Sequence, residues 1–143
     1  FKLGEYEGKP CAEGDGFVGV LSEPFPHVGP WNDLSGYPGD EQFPPDDPNW
    51  TEAEYERARE AWESWYWDTA RVNGAVPICH AGCNHRLWLV VTGAEAGNMW
   101  CDERADQSGL FPLRRLGRDR VTFLAWYRAW VDEALALVTS PAE

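Results

Sequence analysis

Between Arg86 and Leu113 three apolar runs alternate with two glycine-bearing breaks, the first at Gly93–Gly97 and the second ending at Gly109. That pattern predicts a short antiparallel meander. In the first run Leu87, Leu89 and Val91 share one face, and Trp88, Val90 and Thr92 share the other. Both faces are almost wholly apolar, which predicts a central strand covered on two sides. The second run sets Met99 and Cys101 against Asn98, Trp100 and Asp102, the mixture of a half-buried strand. Pro112 has no N–H to give, so the third run belongs at a sheet edge or a strand end.

A period near 3.6 replaces the alternation on either side of the meander. Thr51 followed by Glu54 forms a capping-box signal, with Trp50 and Tyr55 placed for a hydrophobic staple. The helix this starts is predicted to reach about Arg71, with Gly74 as its stop. Tyr55, Ala58, Trp62, Trp65 and Thr69 make its apolar stripe, and Glu56, Glu60 and Glu63 an acidic outer face. Trp67 falls outside that stripe. A second helix is predicted over Thr122–Val138, with Thr122 as N-cap. Its stripe is Phe123, Leu124, Tyr127, Val131, Ala134, Leu135 and Val138, expected to lie on one face of the meander. Val76–Cys79 reads as a short strand broken by Pro77, and Ala81–Asn84 as a turn.

The first fifty residues follow neither period. Pro24, Pro26, Pro30, Pro38, Pro44, Pro45 and Pro48 leave no room for a helix. A strand fits at Phe17–Leu21. The rest is expected to be an extended arm held by Phe25, Trp31, Tyr37 and Phe43, either wrapping the core or facing a partner.

At 143 residues the chain is expected to be a single domain, 1–143, with ample aromatic material for a core: nine Trp, six Phe and five Tyr. No apolar run approaches the length of a membrane span. The net charge of −12 is lopsided: residues 1–74 carry 16 acidic and 5 basic side chains, residues 75–143 carry 8 and 7. An acidic front half opposes nucleic-acid binding and suits a basic protein partner, although acidity also serves solubility alone. Cys11, Cys79, Cys83 and Cys101 are too few for a disulfide scaffold in a domain of this size, and read as reduced cytoplasmic thiols.

Candidate chemistry is sparse. Cys79, His80, Cys83 and His85 are zinc-ligand types, but a zinc site usually draws two pairs from separate segments, whereas these four crowd one turn. The plainer reading is small apolar fillers and loop histidines. Asp102, Glu103 and Asp106 invite a carboxylate-dyad reading, yet Arg104 among them fits a structural ion pair. No nucleophile elbow and no phosphate-binding glycine motif occurs. Arg114, Arg115, Arg118 and Arg120 make the only basic run, suited to a phosphate or to a solvated turn.

Several blocks, taken in order, carry a resemblance: Gly82-Cys83, Trp88–Gly93, Glu95–Asn98, Trp100–Asp106, Gly109–Leu113 and Thr122–Tyr127. Together they resemble the SUKH superfamily, which takes in fungal cell-wall-assembly regulators and many bacterial immunity proteins. The likeness spans about residues 76–138, and rests on the order and spacing of the blocks rather than on any one of them. It implies an α+β domain: a mostly antiparallel twisted sheet with packed helices, including a C-terminal helix. It also implies a protein that acts by binding other proteins, with Gly82, Gly93, Gly97, Trp100, Asp102 and Arg104 as fold determinants. The family's partner surfaces vary, so no binding residue carries over. The family's usual front end, a helix and then a Gly-rich segment, has no counterpart here. Phe1–Gly4 looks like what would follow it, so the chain reads as a trimmed domain.

The expectation is therefore a non-catalytic cytoplasmic immunity protein that binds and blocks a basic toxin domain such as a nuclease, with no cofactor. Contacts are expected from Asp46, Asp47, Glu56, Glu60 and Glu63, with Trp67 as an aromatic anchor. A regulatory protein-binding scaffold is the first alternative, and a zinc-binding module or enzyme the second.

Overall fold

Hydrogen bonding between neighbouring runs turns the meander into the frame of the molecule. In the computed structural model, which describes residues 2–6, 9–14, 17–40, 50–115 and 117–139, seven strands and two helices form an α+β fold. Three strands, β1 (Lys2–Tyr6), β2 (Lys9–Gly14) and β3 (Phe17–Val20), make an antiparallel sheet in the order β1-β2-β3. Four more make a second antiparallel sheet in chain order: β4 (Ala75–Gly82), β5 (His85–Val90), β6 (Met99–Glu103) and β7 (Gly109–Pro112). Helix α1 spans Glu52–Tyr66 and helix α2 spans Phe123–Thr139.

The predicted meander is β5-β6-β7, with β5 central and β7, carrying Pro112, at the edge. Pro77 does not stop β4. The strand runs eight residues and absorbs irregularities in register between Pro77 and Cys79 and between His80 and Gly82. Gly82, Cys83 and Asn84 all have positive φ, which closes the β4-β5 hairpin tightly. Strands β1 and β2 occupy a stretch expected to be loop. Their pairing is local, and the alternation that would announce them is too short to see.

One face of the second sheet carries the core. Trp88 lies opposite Trp100, and Trp100 opposite Pro112, while Val90 lies opposite Ala75. Trp88, Val90, Trp100, Leu110, Ala75, Val72 and Phe25 form one buried cluster, with Trp31 packed against it. On the other face Met99 and Cys101 of β6 are buried, but Leu87, Leu89 and Phe111 are half-buried and Val91 is exposed, so β5 is not sealed on both sides. Strand β6 departs the other way. Met99, Trp100, Cys101 and Asp102 are all buried, where the mixed pattern predicted half-burial.

What covers the core face is the proline-rich arm. The Phe25 ring meets Trp100 edge-on at 4.8 Å, and His27 and Trp31 follow it across the sheet. Trp31 exchanges backbone hydrogen bonds with Leu110, which adds one bridge beyond the β7 edge. Gly109 makes this approach feasible: its φ is +83°, and a Cβ there would collide with the Trp31 carbonyl and the Asn32 side chain. Helix α1 then packs on the arm. Tyr66 stacks on Trp31 and Trp62, and Tyr37 lies against Trp62 at 4.7 Å.

Helix α1 starts as predicted. Thr51 accepts from the Glu54 N–H, and the Glu54 carboxylate accepts from the Thr51 N–H. It ends earlier than predicted, at Tyr66, and a 3-10 turn over Thr69–Val72 takes the chain to Gly74. Its buried residues are Tyr55, Trp62 and Tyr66, so Tyr66 takes the place expected of Trp65, which is partly exposed. Early termination releases Thr69 from the stripe, and it is exposed.

Helix α2 is tied at its start. Met99 N–H donates to the Val121 carbonyl, Asn98 pairs with Thr122, and Phe123 N–H donates to the Gly97 carbonyl. Arg115 forms an ion pair with Glu133 further along. The stripe read as a core face is nevertheless largely open, with Leu124 55% and Val138 81% exposed, so it does not seal the meander.

Candidate protein-binding surface

Glu56, Glu60, Glu63 and Trp67 are spaced by four, three and four residues, which sets them on one flank of α1 and its C-terminal turn. Four residues of helix rise about 6 Å, so the carboxylates climb the flank in short steps. Glu56 and Glu60 are exposed. Glu63 pairs with Arg59 at 3.2 Å, one turn earlier, and its side chain stays about half accessible. Asp46 and Asp47 lie outside the described residues.

The flank is held rigidly from behind. The capping box closes the start of α1. At its end Arg104 Nη1 donates to the Tyr66 carbonyl at 3.1 Å, and the Arg104 guanidinium lies 4.8 Å from the Trp67 ring centre. Trp67 is therefore half-buried over a cation and presents only part of its ring outward. Tyr55 donates to the Gly39 carbonyl, and Tyr37 donates to Asp40 while accepting from Gln107. These bonds fix the arm beneath the helix.

Arg104 reaches α1 because it starts from the sheet. Its Nε and Nη2 donate to the two carboxylate oxygens of Asp102, at 2.9 and 2.7 Å, with both side chains fully buried. The Trp88 indole donates to the same carboxylate at 3.2 Å. A buried carboxylate holding a bidentate guanidinium and an indole N–H has its acceptors filled from three sides. Asp102 is thus engaged in the core, away from Asp106, whose carboxylate lies 3.3 Å from His85 at the surface.

The Cys/His group of the β4-β5 hairpin is spread out. Cys79 pairs in the sheet opposite Leu87, and His80 Nδ1 accepts from the Gly82 N–H. Cys83 is exposed in the turn, and His85 turns to Asp106. Among the described residues no three His, Cys, Asp or Glu side chains are grouped to hold a metal ion. In the basic run, Arg115 pairs with Glu133, and Arg120 binds Glu95 and the Val28 carbonyl.

A second surface feature was not foreseen. The Arg71 guanidinium lies 5.0 Å from the ring centres of both Trp31 and Trp65. It ties the arm to the far flank of α1 by cation–π contact. The three residues are 34 and 6 positions apart, and no local pattern connects them.

Comparison with family models, with curated proteins and with solved structures returns no match. Among the described residues no helix is long and apolar enough to cross a membrane.

Proposed function

We propose that the protein is a non-catalytic cytoplasmic immunity protein of the SUKH type, which binds and neutralises a basic toxin domain through the acidic flank of α1. The observation that carries this reading is the acidic run of exposed Glu56 and Glu60 with half-accessible Glu63, which is paired with Arg59, on a helix clamped at both ends. A rigid acidic surface complements a basic substrate-binding groove, raises association rate and loses little entropy on docking. The order of blocks from Gly82 to Tyr127 supports the family reading. Asp102 and Arg104, which the sequence suited to a structural ion pair, are joined in a buried pair that supports the fold.

Co-expression with a toxin candidate encoded beside its gene tests the proposal. Growth rescue together with co-purification is the expected result. Replacing Glu56, Glu60 and Glu63 together by Lys is then expected to weaken the complex by about tenfold or more at low salt, and less as salt is raised. Unaltered affinity would place the contact elsewhere. No rescue and no complex would overturn the immunity reading and favour a regulatory scaffold.

A further inference from the structure

Helix α2 carries an apolar seam that the rest of the described chain leaves open. Leu124, Tyr127, Val131, Ala134 and Val138 recur at alternating spacings of three and four, the a and d positions of a heptad. Leu124, Tyr127 and Val138 are exposed, and Val131 and Ala134 are partly so. Trp130 and Leu137 border the seam and are also exposed, Leu137 at 82%. The helix has 17 residues, and from Leu124 to Val138 the seam is about 21 Å long. An exposed apolar stripe of this kind marks an interaction surface, and a seam of a and d residues fits another helix with the same seam.

We propose that two copies of this chain pair through α2, antiparallel about a two-fold axis. Charge favours a second copy on this side. The acid excess lies in residues 1–74, whereas residues 75–143 hold 8 acidic and 7 basic side chains, so two α2 faces meet without the repulsion that two α1 faces would feel. Direction follows from size and sign. An antiparallel pair can set Leu124 against Ala134 of the second copy and Tyr127 against Val131, large on small. A parallel pair sets Tyr127 on Tyr127 and Ala134 on Ala134, one layer crowded and one empty. Only the antiparallel arrangement brings opposite helix dipoles together. Glu133 is already engaged by Arg115 of its own chain.

Sedimentation equilibrium of the full chain at micromolar concentration tests the pairing. A dimer is expected, and Val131→Glu is expected to weaken it by about tenfold or more with the far-ultraviolet circular dichroism unchanged. Direction is read by disulfide trapping on a Cys83→Ser background. A mixture of Leu124→Cys and Ala134→Cys chains is expected to form the mixed cross-link. A monomer at all concentrations overturns the proposal, as does a dimer indifferent to Val131→Glu. Self-cross-linking of Leu124→Cys alone overturns the antiparallel arrangement.

Discussion

Arg104 links three parts of the molecule through one side chain. It fills the Asp102 carboxylate, caps the Tyr66 carbonyl and lies under Trp67. Removing one partner of a buried ion pair strands the other charge, which is costlier than losing both. Arg104→Ala is therefore expected to cost about 3–5 kcal/mol, read from the urea midpoint. An Asp102→Asn change in the same background is expected to recover part of that loss, because it removes the stranded charge. Cysteine behaviour also belongs to this scale. Burial, with Glu103 and Asp102 adding to it, pushes the Cys101 thiol up to about 12, whereas Cys83 is exposed in the hairpin turn. In the folded protein Cys83 is expected to alkylate well before Cys101, as peptide mapping by mass spectrometry would show; equal rates would contradict the burial of β6.

The arm is the element on which α1 depends. Its aromatic residues lie between sheet and helix, so α1 has little direct purchase on the strands. Gly109 is where the arm joins the β7 edge, and no side chain fits there. Gly109→Ala combines a left-handed backbone with a collision against Trp31 and Asn32. It is expected to cost about 2–4 kcal/mol in thermal unfolding, more than strain at a single positive φ alone explains. The second effect is the telling one: amide exchange is expected to rise in α1 together with the arm. Faster exchange confined to β7 would show that the helix does not rely on the arm. At the start of α1, Thr51→Ala removes one half of the capping box and is expected to cost about 1 kcal/mol.

At the scale of the whole molecule, acid stability is tied to His27. The ring is buried against Phe25, Trp31 and Trp100, and its Nε2 lies 3.1 Å from the Arg71 carbonyl. Burial lowers its pKa from 6.5 to about 4; the Arg71 carbonyl opposes the shift, and the charges of Arg71 and Arg104 reinforce it. Below pH 6.5 the unfolded chain takes up a proton that the folded chain refuses, so stability is full above that value and falls toward pH 4, where it levels off. The loss is on the order of 3 kcal/mol. His27→Gln is expected to be less stable than the native chain at pH 7, with the gap shrinking as pH falls to 4. A gap that stays constant across that range would show that His27 does not titrate with unfolding.

Local signals set much of this architecture. The alternation from Arg86 to Leu113 announced the meander and its order, Pro112 marked the edge, and Thr51 with Glu54 marked the start of α1. Each acts within a few residues, through backbone geometry or a single hydrogen bond, so a one-dimensional reading captures it. The acidic flank of α1 was legible for the same reason, since helical spacing alone puts Glu56, Glu60 and Glu63 together. Tertiary structure decided the rest. Periodicity tells which residues share a face and never what lies opposite. Hence Tyr66 rather than Trp65 became the centre of the α1 contact, because the helix ended early and the arm came to it. Asp102 entered the core because Arg104 and Trp88 were there to satisfy it. The Arg71 clamp joined three segments that share no local pattern. The α2 stripe, sound as a helix pattern, was left largely facing outward, with Leu124, Tyr127, Leu135 and Val138 exposed.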